Sequence, residues 1–134
     1  MVIDTSAVIA IFLDEPERLA FSRSILASDP RLMSTVSKLE AGMVAIGRDG
    51  PAGSSRLDSI LRELDIEFVP FDERQADIAG KAFTRYGKGR HKAGLKFGDC
   101  AAYALAVAEG EPLLFKGTDF STTDVEVAAV SDGR

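Results

Sequence analysis

Short apolar runs that end in polar residues predict the strands of this chain. Val2 and Ile3 run directly into Asp4, and a short continuous apolar run is typical of a buried parallel strand. Similar runs recur later in the sequence. We predict strands at residues 1–4, 31–34, 67–70 and 112–115, and a last strand near residues 125–130.

Helical spacing of apolar residues, or long runs of small residues, separates these strands. We predict helices at residues 8–13, 17–28, 35–48, 54–64, 72–86 and 99–108, with a loop at 47–53. Strands that alternate with helices indicate an α/β fold, a three-layer α/β/α sandwich around a short, mainly parallel sheet. The length suits one domain, residues 1–134.

Some side chains of these helices have expected positions. Leu19, Ile25 and Leu26 of the second helix are expected to face the core. Asp72 is expected to cap the fifth helix, with Gln75 at the capping-box position. The apolar residues that give the third helix its spacing are Leu39, Met43, Val44 and Ile46.

Composition narrows the classes of protein. The net charge of −5 argues against a general nucleic-acid coat protein. Cys100 and His91 are each single, which excludes an internal disulfide and a zinc site of the Cys/His type. The sequence shows no apolar run of membrane-spanning length and no signal peptide, so we expect a cytoplasmic protein without membrane contact.

One stretch of this acidic chain is strongly basic. Residues 85–96 contain no acid, and their three glycines are expected to deny the stretch regular structure. Such a run is often a solvated loop, but beside an acidic metal site it would contact phosphate groups. The candidate nucleic-acid contacts are Arg85, Lys88, Arg90, His91, Lys92 and Lys96.

Four acids are predicted to meet at one edge of the sheet. Asp4 and Asp119 directly follow or closely follow apolar strands, while Glu40 and Asp99 lie near the starts of helices. In a right-handed α/β topology these ends face the same side. Clustered carboxylates suit Mg²⁺ or Mn²⁺, and such a cation polarises a phosphoryl oxygen and activates a water molecule.

Each acid also has a purely structural explanation. Asp4 can cap the first helix, and Glu40 can form a capping box with Ser37. Asp99 can stabilise a helix N-terminus through the helix dipole, and Asp119 is a natural turn residue. None of the four acids is specific alone, so the prediction depends on their placement together.

The motifs of this chain resemble those of PIN-domain proteins, most closely the VapC-type toxins of bacterial toxin–antitoxin pairs. The matching segments cover nearly the whole chain in the expected order: residues 1–7 (MVIDTSA), 32–34 with Leu39-Glu40, 86–91 (YGKGRH), 95–100 (LKFGDC), 112–120 (PLLFKGTDF) and Thr123-Asp124. The resemblance implies a PIN-like fold and a Mg²⁺-dependent endoribonuclease that cuts tRNA or rRNA and inhibits translation.

The resemblance also implies a role for each acid. Asp4 and Asp99 would be the principal metal ligands. Glu40 and Asp119 would complete the pocket, directly or through water. Mn²⁺ is the alternative to Mg²⁺ as the bound cation.

The position of Ser6 beside Asp4 suggests a further role, and the resemblance adds two more residues and the partners. Ser6 would support the site, although it can equally cap the first helix. Thr118 departs from the acid or Asn of many relatives, which leaves its supporting role open. Lys116 is expected to contact RNA together with the basic stretch. The expected partners are a second copy of the chain and a VapB-type antitoxin, in a heterotetramer or larger complex.

Two other functions compete with the ribonuclease. A phosphatase would use Asp4 as its nucleophile, but Ser6 stands where such enzymes carry a second acid. A non-catalytic interaction module would bind a cation without cleaving RNA.

Overall fold

The computed structural model of the chain describes residues 1–130. Within these residues, four parallel strands form one sheet in the order β3-β2-β1-β4. The last residues of the predicted single domain, 131–134, lie outside the described part. In chain order the elements are β1 (Val2–Ile3), α1 (Thr5–Phe12), α2 (Arg18–Leu26), β2 (Leu32–Ser34), α3 (Thr35–Glu63), β3 (Glu67–Val69), α4 (Glu73–Tyr86), α5 (Phe97–Glu109) and β4 (Leu113–Leu114).

Helices cover both faces of the sheet, because successive strand residues point to opposite faces. Val2 packs among residues of α4 and α5, whereas Ile3 packs among residues of α1, α2 and α3. Leu32 and Met33 of β2 repeat this alternation. Burial on both faces explains why the strands are continuous apolar runs. The predicted three-layer α/β/α sandwich with a parallel sheet is confirmed.

The strand register brings several chain segments to one edge of the sheet. Val2 pairs with both Leu32 and Leu113. In this register Asp4, Ser34 and Phe115 lie level with one another, just where β1, β2 and β4 end. The residues that follow these strands therefore share the carboxyl edge of the sheet.

The two helices predicted on either side of residues 47–53 are present, but instead of a loop they meet at a kink, and together they form α3. The helix is only kinked at Gly50, which has φ 62° and ψ −148°. Glycine adopts this positive φ without the steric penalty that a Cβ atom brings. Pro51 then starts the second part of α3, where its missing N–H leaves no helical hydrogen bond unmade.

The core-facing side of α2 differs from the predicted one. Ile25 is fully buried as expected, but Leu19 and Leu26 are 54% and 50% exposed. The buried positions of α2 are Phe21, Ser24 and Ile25. On a helix with 3.6 residues per turn, Leu19 and Leu26 lie opposite these three positions.

Large apolar side chains of α3 also face outward. Small residues form the buried side of this part of α3, namely Ser37, Ala41 and Ala45, and they let it pack closely against α1. The spacing of apolar residues thus predicted the helix correctly but not its buried side. We name the outward set the α3 apolar surface: Leu39, Met43, Val44 and Ile46, each between 42% and 65% exposed.

The ends of α4 and α5 refine the predicted bounds. Asp72 caps α4 as predicted, since its Oδ1 accepts a hydrogen bond of 2.8 Å from the backbone N–H of Gln75. The side chain of Gln75 instead donates to the carbonyl of Pro70, so the reciprocal half of the capping box is not formed. Helix α5 begins at Phe97, two residues before the predicted start at Asp99.

The strand predicted at residues 125–130 is wrong. Val127 makes only an isolated parallel bridge to Leu113, flanked by backbone hydrogen bonds of 2.8 and 3.0 Å that Leu113 exchanges with Glu126 and Ala128. Among the helices of residues 1–130, none combines the length and apolar character needed to cross a membrane.

Candidate metal centre at the carboxyl edge of the sheet

Asp4 is a buried carboxylate that caps α1. It lies between β1 and α1 and is 4% exposed. Its Oδ2 accepts hydrogen bonds from the backbone N–H of Ser6 at 3.0 Å and from the Ser6 Oγ at 2.6 Å. Both bonds go to the same oxygen, so capping leaves the lone pairs of Oδ1 for another ligand. The capping role and the predicted metal-binding role are therefore compatible.

Burial makes the ionised form of Asp4 energetically unfavourable. Burial raises the pKa of Asp4 to about 6, although the two hydrogen bonds from Ser6 oppose the rise. The negative charges of Asp99 and Glu40 raise this pKa further. Asp4 thus belongs to a group of acids that act on one another across the carboxyl edge.

Glu40 projects from α3 over the first turn of α5. A Cβ atom added to Gly98 would lie 2.3 Å from Oε2 of Glu40 and 2.6 Å from Oε1. A glycine at position 98 is what lets this carboxylate lie against the backbone of α5. The capping box expected for Glu40 and Ser37 is not formed, because Ser34 caps α3 through a bond of 3.1 Å from the Val36 N–H.

Asp99 connects the remaining acids. Its Oδ2 accepts a hydrogen bond of 3.0 Å from the backbone N–H of Lys96, so the helix-stabilising role also holds. Burial is the main cause that raises the pKa of Asp99, and the charges of Asp119 and Glu40 add to it. Asp119 itself is an exposed residue of the loop after β4. Asp99 therefore interacts electrostatically with Glu40 and Asp119, and its charge also acts on Asp4.

The four carboxylates are not gathered around a single point. Within residues 1–130, no three side chains of His, Cys, Asp or Glu lie close enough together to hold one metal ion. The chemistry of the donors still suits a hard divalent cation, because every candidate ligand is an oxygen and the acids repel one another. The predicted ligand set stays a prediction.

Beyond the end of α4, the basic stretch forms no helix or strand, as its glycines predicted, but burial and hydrogen bonds hold its turns in place. Leu95 is fully buried and Ala93 is 8% exposed. The N–H of Lys88 donates to the carbonyl of Leu95, and the N–H of Leu95 donates to the carbonyl of Tyr86, both at 3.0 Å. The sequence signal was the apolar pair Ala93 and Leu95 within a charged run.

Most of the predicted RNA contacts of this stretch point to solvent. His91 is half-buried: its Nδ1 accepts a bond of 3.0 Å from the Ala93 N–H, and its ring meets the edge of Tyr86 with centroids 5.1 Å apart. These interactions fix the imidazole on the loop. The exposed basic residues are Arg85, Lys88, Arg90, Lys92 and Lys96.

Lys116 lies at the acidic site but is bound to other acids. Its ammonium makes ion pairs with Glu15 and, at 3.2 Å, with Glu17. The hydrogen bonds that the ammonium donates to these two carboxylates raise the pKa of Lys116. The sequence analysis missed Glu15 and Glu17, since nothing in a turn around Pro16 indicates contact with a residue a hundred positions away.

A second contact missed from the sequence ties residue 124 to α5. The Tyr103 hydroxyl donates to Oδ1 of Asp124 at 2.5 Å, and this bond is the main cause that lowers the pKa of Asp124. Arg85 also lies 3.6 Å from Asp124. Asp124 thereby links the start of the basic stretch to α5.

The protein family and the individual proteins that match this chain agree with one another. The PIN domain family matches residues 1–126. Ribonuclease VapC30 of Mycobacterium tuberculosis is 47% identical over 130 residues, which are 97% of this chain and 99% of that protein. Ribonuclease VapC of Mycolicibacterium smegmatis is 49% identical over 125 residues, which are 93% of this chain and 97% of that protein.

Solved structures agree on the fold. VapC20 of Mycobacterium tuberculosis, a toxin that cleaves the sarcin-ricin loop, has a TM-score of 0.77 at 16% identity and covers 97% of this chain and 98% of its own. VapBC2 of Rickettsia felis, bound to a DNA fragment from its promoter, has a TM-score of 0.72 at 16% identity with the same coverage.

Proposed function

This chain belongs to the PIN-domain family and to its VapC ribonucleases, as its motifs predicted, and from this premise we propose a specific activity. The protein is a Mg²⁺-dependent endoribonuclease toxin that hydrolyses tRNA or rRNA in the cytoplasm and so inhibits translation. The observation that supports the proposal is the electrostatic interaction of Asp99 with Asp4, Glu40 and Asp119, and of Asp4 with Glu40, at the carboxyl edge.

The four acids would bind the cation as two principal ligands and two additional ones. Asp4 and Asp99 are the principal ligands, because burial makes their charges the least favourable without a counter-charge. Glu40 and Asp119 complete the pocket directly or through water. When bound, Mg²⁺, or Mn²⁺ in its place, polarises the phosphodiester and lowers the pKa of a water molecule.

Two residues with hydroxyl groups support the acids. Ser6 donates to Oδ2 of Asp4, and this restrains the carboxylate while leaving Oδ1 for a cation. Thr118 lies in the loop beside Asp119, where its hydroxyl is exposed to the site's solvent and would help to orient water.

The basic stretch would bind the RNA backbone. Its ordered loop follows α4 and leads directly to Asp99 in α5, so phosphates held there lie next to the acids. The contacts that we propose are those of Arg85, Lys88, Arg90, His91, Lys92 and Lys96. Because the protein as a whole is acidic, binding depends on this local positive surface.

Protein partners would cover exposed apolar surfaces. The α3 apolar surface is one of them. A second is a groove of about 510 Å³ between α4 and α5, lined by Phe71, Ala76, Ala79, Gly80, Phe83, Phe97 and Cys100. Exposed apolar patches of this kind mark protein interfaces. We propose that a second copy of the chain and a VapB-type antitoxin use these surfaces, in a heterotetramer or larger complex.

Cleavage of RNA by the purified protein tests this function. Total RNA is incubated with wild type in Mg²⁺ or in EDTA, and with Asp4→Asn and Asp99→Asn, which keep a cap acceptor at each helix start. We expect cleavage that requires Mg²⁺ and falls at least about 100-fold in both variants. Asp72→Asn, the same change at the exposed cap of α4, is the control and should cleave like wild type.

Other outcomes separate the competing functions. Cleavage that survives both active-site substitutions would contradict the assignment of the acids. A covalent phosphate trapped on Asp4 would support the phosphatase instead. Metal binding without cleavage of any tRNA or rRNA would support the interaction module.

A further inference from the structure

We propose that Lys116 is a positioning residue for Asp4, held in place by Glu15 and Glu17, rather than a residue that contacts RNA. We call these three residues the Lys116 latch. The inference rests on the proposed function, since it concerns how that same site is kept in its binding geometry.

The backbone of Lys116 acts on Asp4 through a serine. The Lys116 N–H donates to Oγ of Ser6 at 2.9 Å, and Oγ of Ser6 in turn donates to Oδ2 of Asp4 at 2.6 Å. A hydroxyl has one proton. Because Oγ accepts from Lys116, its own proton is directed to Asp4. The backbone at residue 116 therefore sets the orientation of the buried carboxylate.

The side chain of Lys116 fixes that backbone from the other side. Its ammonium pairs with Glu15 and Glu17, two half-buried acids of the turn between α1 and α2. The turn is itself held, since the N–H of Glu15 donates to the carbonyl of Ala10 at 2.9 Å and the N–H of Arg18 donates to the carbonyl of Glu15 at 2.9 Å. The latch thus ties residue 116 to both ends of α1.

The fixed position of Lys116 also restrains the loop that carries two more residues of the proposed site. Gly117, at φ 99°, turns the chain directly after Lys116, and Thr118 and Asp119 follow. Phe120 is 2% exposed and holds the far end of this loop in the core. With Lys116 held at one end and Phe120 at the other, the position of Asp119 is confined.

The geometry opposes direct contact of Lys116 with RNA. Its ammonium already pairs with two carboxylates, and their negative charges would repel an approaching phosphate. If the latch were only an electrostatic neighbour of the site, removal of the lysine charge would strengthen cation binding. If the latch positions Asp4, its removal weakens cation binding. The two explanations predict opposite signs.

The affinity of the RNA-free protein for Mn²⁺, measured by electron paramagnetic resonance, distinguishes a positioning role of the latch from a purely electrostatic one. The variants are Lys116→Met, Lys116→Arg, and Glu15→Gln with Glu17→Gln. We expect Lys116→Met and the double glutamine variant to weaken Mn²⁺ binding about 10-fold, the range found when groups that orient metal ligands are removed. Lys116→Arg, which can still pair with both acids, should restore most of the affinity.

A matched control removes a charge from the same turn without touching the latch. Asp14 pairs with Arg18, and Asp14→Asn changes the net charge as Glu15→Gln does. Asn also tolerates the positive φ of 55° found at position 14. This variant should bind Mn²⁺ like wild type.

A double variant tests whether Lys116 affects Mn²⁺ binding through Ser6. In the double variant Ser6→Ala/Lys116→Met, the loss should be close to that of Ser6→Ala alone, because both changes break one chain of contacts. Thermal melting in EDTA identifies any variant that fails to fold, in which case Glu15→Gln and Glu17→Gln are measured singly.

RNA kinetics provide a readout that the binding test lacks. For the latch we expect kcat to fall in Lys116→Met with KM little changed, whereas loss of an RNA contact would raise KM. Tighter or unchanged Mn²⁺ binding in Lys116→Met, or tighter RNA binding in the double glutamine variant, would overturn the proposal. Wild type that binds Mn²⁺ but cleaves no RNA would refute the proposed function, while the Mn²⁺ measurements would still decide the latch.

Discussion

Single residues at the carboxyl edge have structural roles that are compatible with the chemical roles proposed for them. Asp4 caps α1 through Oδ2, and Asp99 stabilises the first turn of α5, yet both are acids whose pKa values rise in the fold. The structural explanations weighed for these acids from the sequence were therefore not true alternatives. A helix cap uses one carboxylate oxygen and leaves the other.

Asp4→Asn should stabilise the protein in EDTA at neutral pH. The folded pKa of Asp4 is about 6 against an ordinary value of 3.8, so folding favours the protonated form and the charged form destabilises the fold above pH 6. At one pKa unit per 1.36 kcal/mol, the gain is about 1–3 kcal/mol, or several degrees in melting temperature. Thermal melting at pH 7.5 and 4.5 measures it.

The stability gained by Asp4→Asn should shrink as the pH falls, because the carboxyl group of Asp4 in the wild type then takes up a proton. Asp72→Asn, the same substitution at the exposed cap of α4, is the control for the change of side chain. A variant Asp4→Asn that melts below wild type at pH 7.5 would show that the charge of Asp4 is well compensated in the fold.

Gly98→Ala should disturb Glu40 with little loss of stability. The added Cβ atom would lie 2.3 Å from Oε2 of Glu40, and the end of a partly exposed side chain can move away. We expect a change of less than about 1 kcal/mol in the free energy of unfolding but a clear loss of Mg²⁺-dependent cleavage. Gly80→Ala, where nothing lies within 4 Å of the added atom, is the control. Normal cleavage by Gly98→Ala would mean that the site does not need Glu40 in this position.

At the scale of elements, the strands could be predicted from the sequence, but the buried side of a closely packed helix could not. The strands were readable because a parallel sheet buried on both faces requires continuous apolar runs. The buried side of the first part of α3 was not readable, since it consists of Ser37, Ala41 and Ala45 while the large apolar residues of that part face out. The Gly-Pro pair at 50–51 suggested a loop, although one glycine conformation suffices to kink a continuous helix.

Two glycines of α3 should respond to alanine with opposite signs. Gly50→Ala places a Cβ atom at φ 62° and ψ −148°, a region that essentially only glycine adopts, and should destabilise the protein by about 1–3 kcal/mol. Gly47→Ala, in the regular part of the same helix with open space around the added atom, should stabilise it by up to about 1 kcal/mol. Urea unfolding of both variants measures the difference. Equal effects would contradict the kink at Gly50.

At the scale of the whole molecule, the site is a product of topology. The acids come from the end of β1, from α3, from α5 and from the loop after β4, and parallel strands with crossover helices bring these positions to one edge. That general rule is why four acids far apart in the sequence were predicted to meet. It says nothing of which side chains pair within the edge, so the contacts of Lys116 with Glu15 and Glu17 needed the structure.

Calorimetric titration of the RNA-free protein with Mg²⁺ at pH 7.5 tests the central claim most directly. We expect saturable binding in wild type and in Asp72→Asn, and binding weakened at least about 10-fold in both Asp4→Asn and Asp99→Asn. Binding that is equal in all four proteins, or absent from wild type, would contradict the account of these acids as a divalent-cation centre.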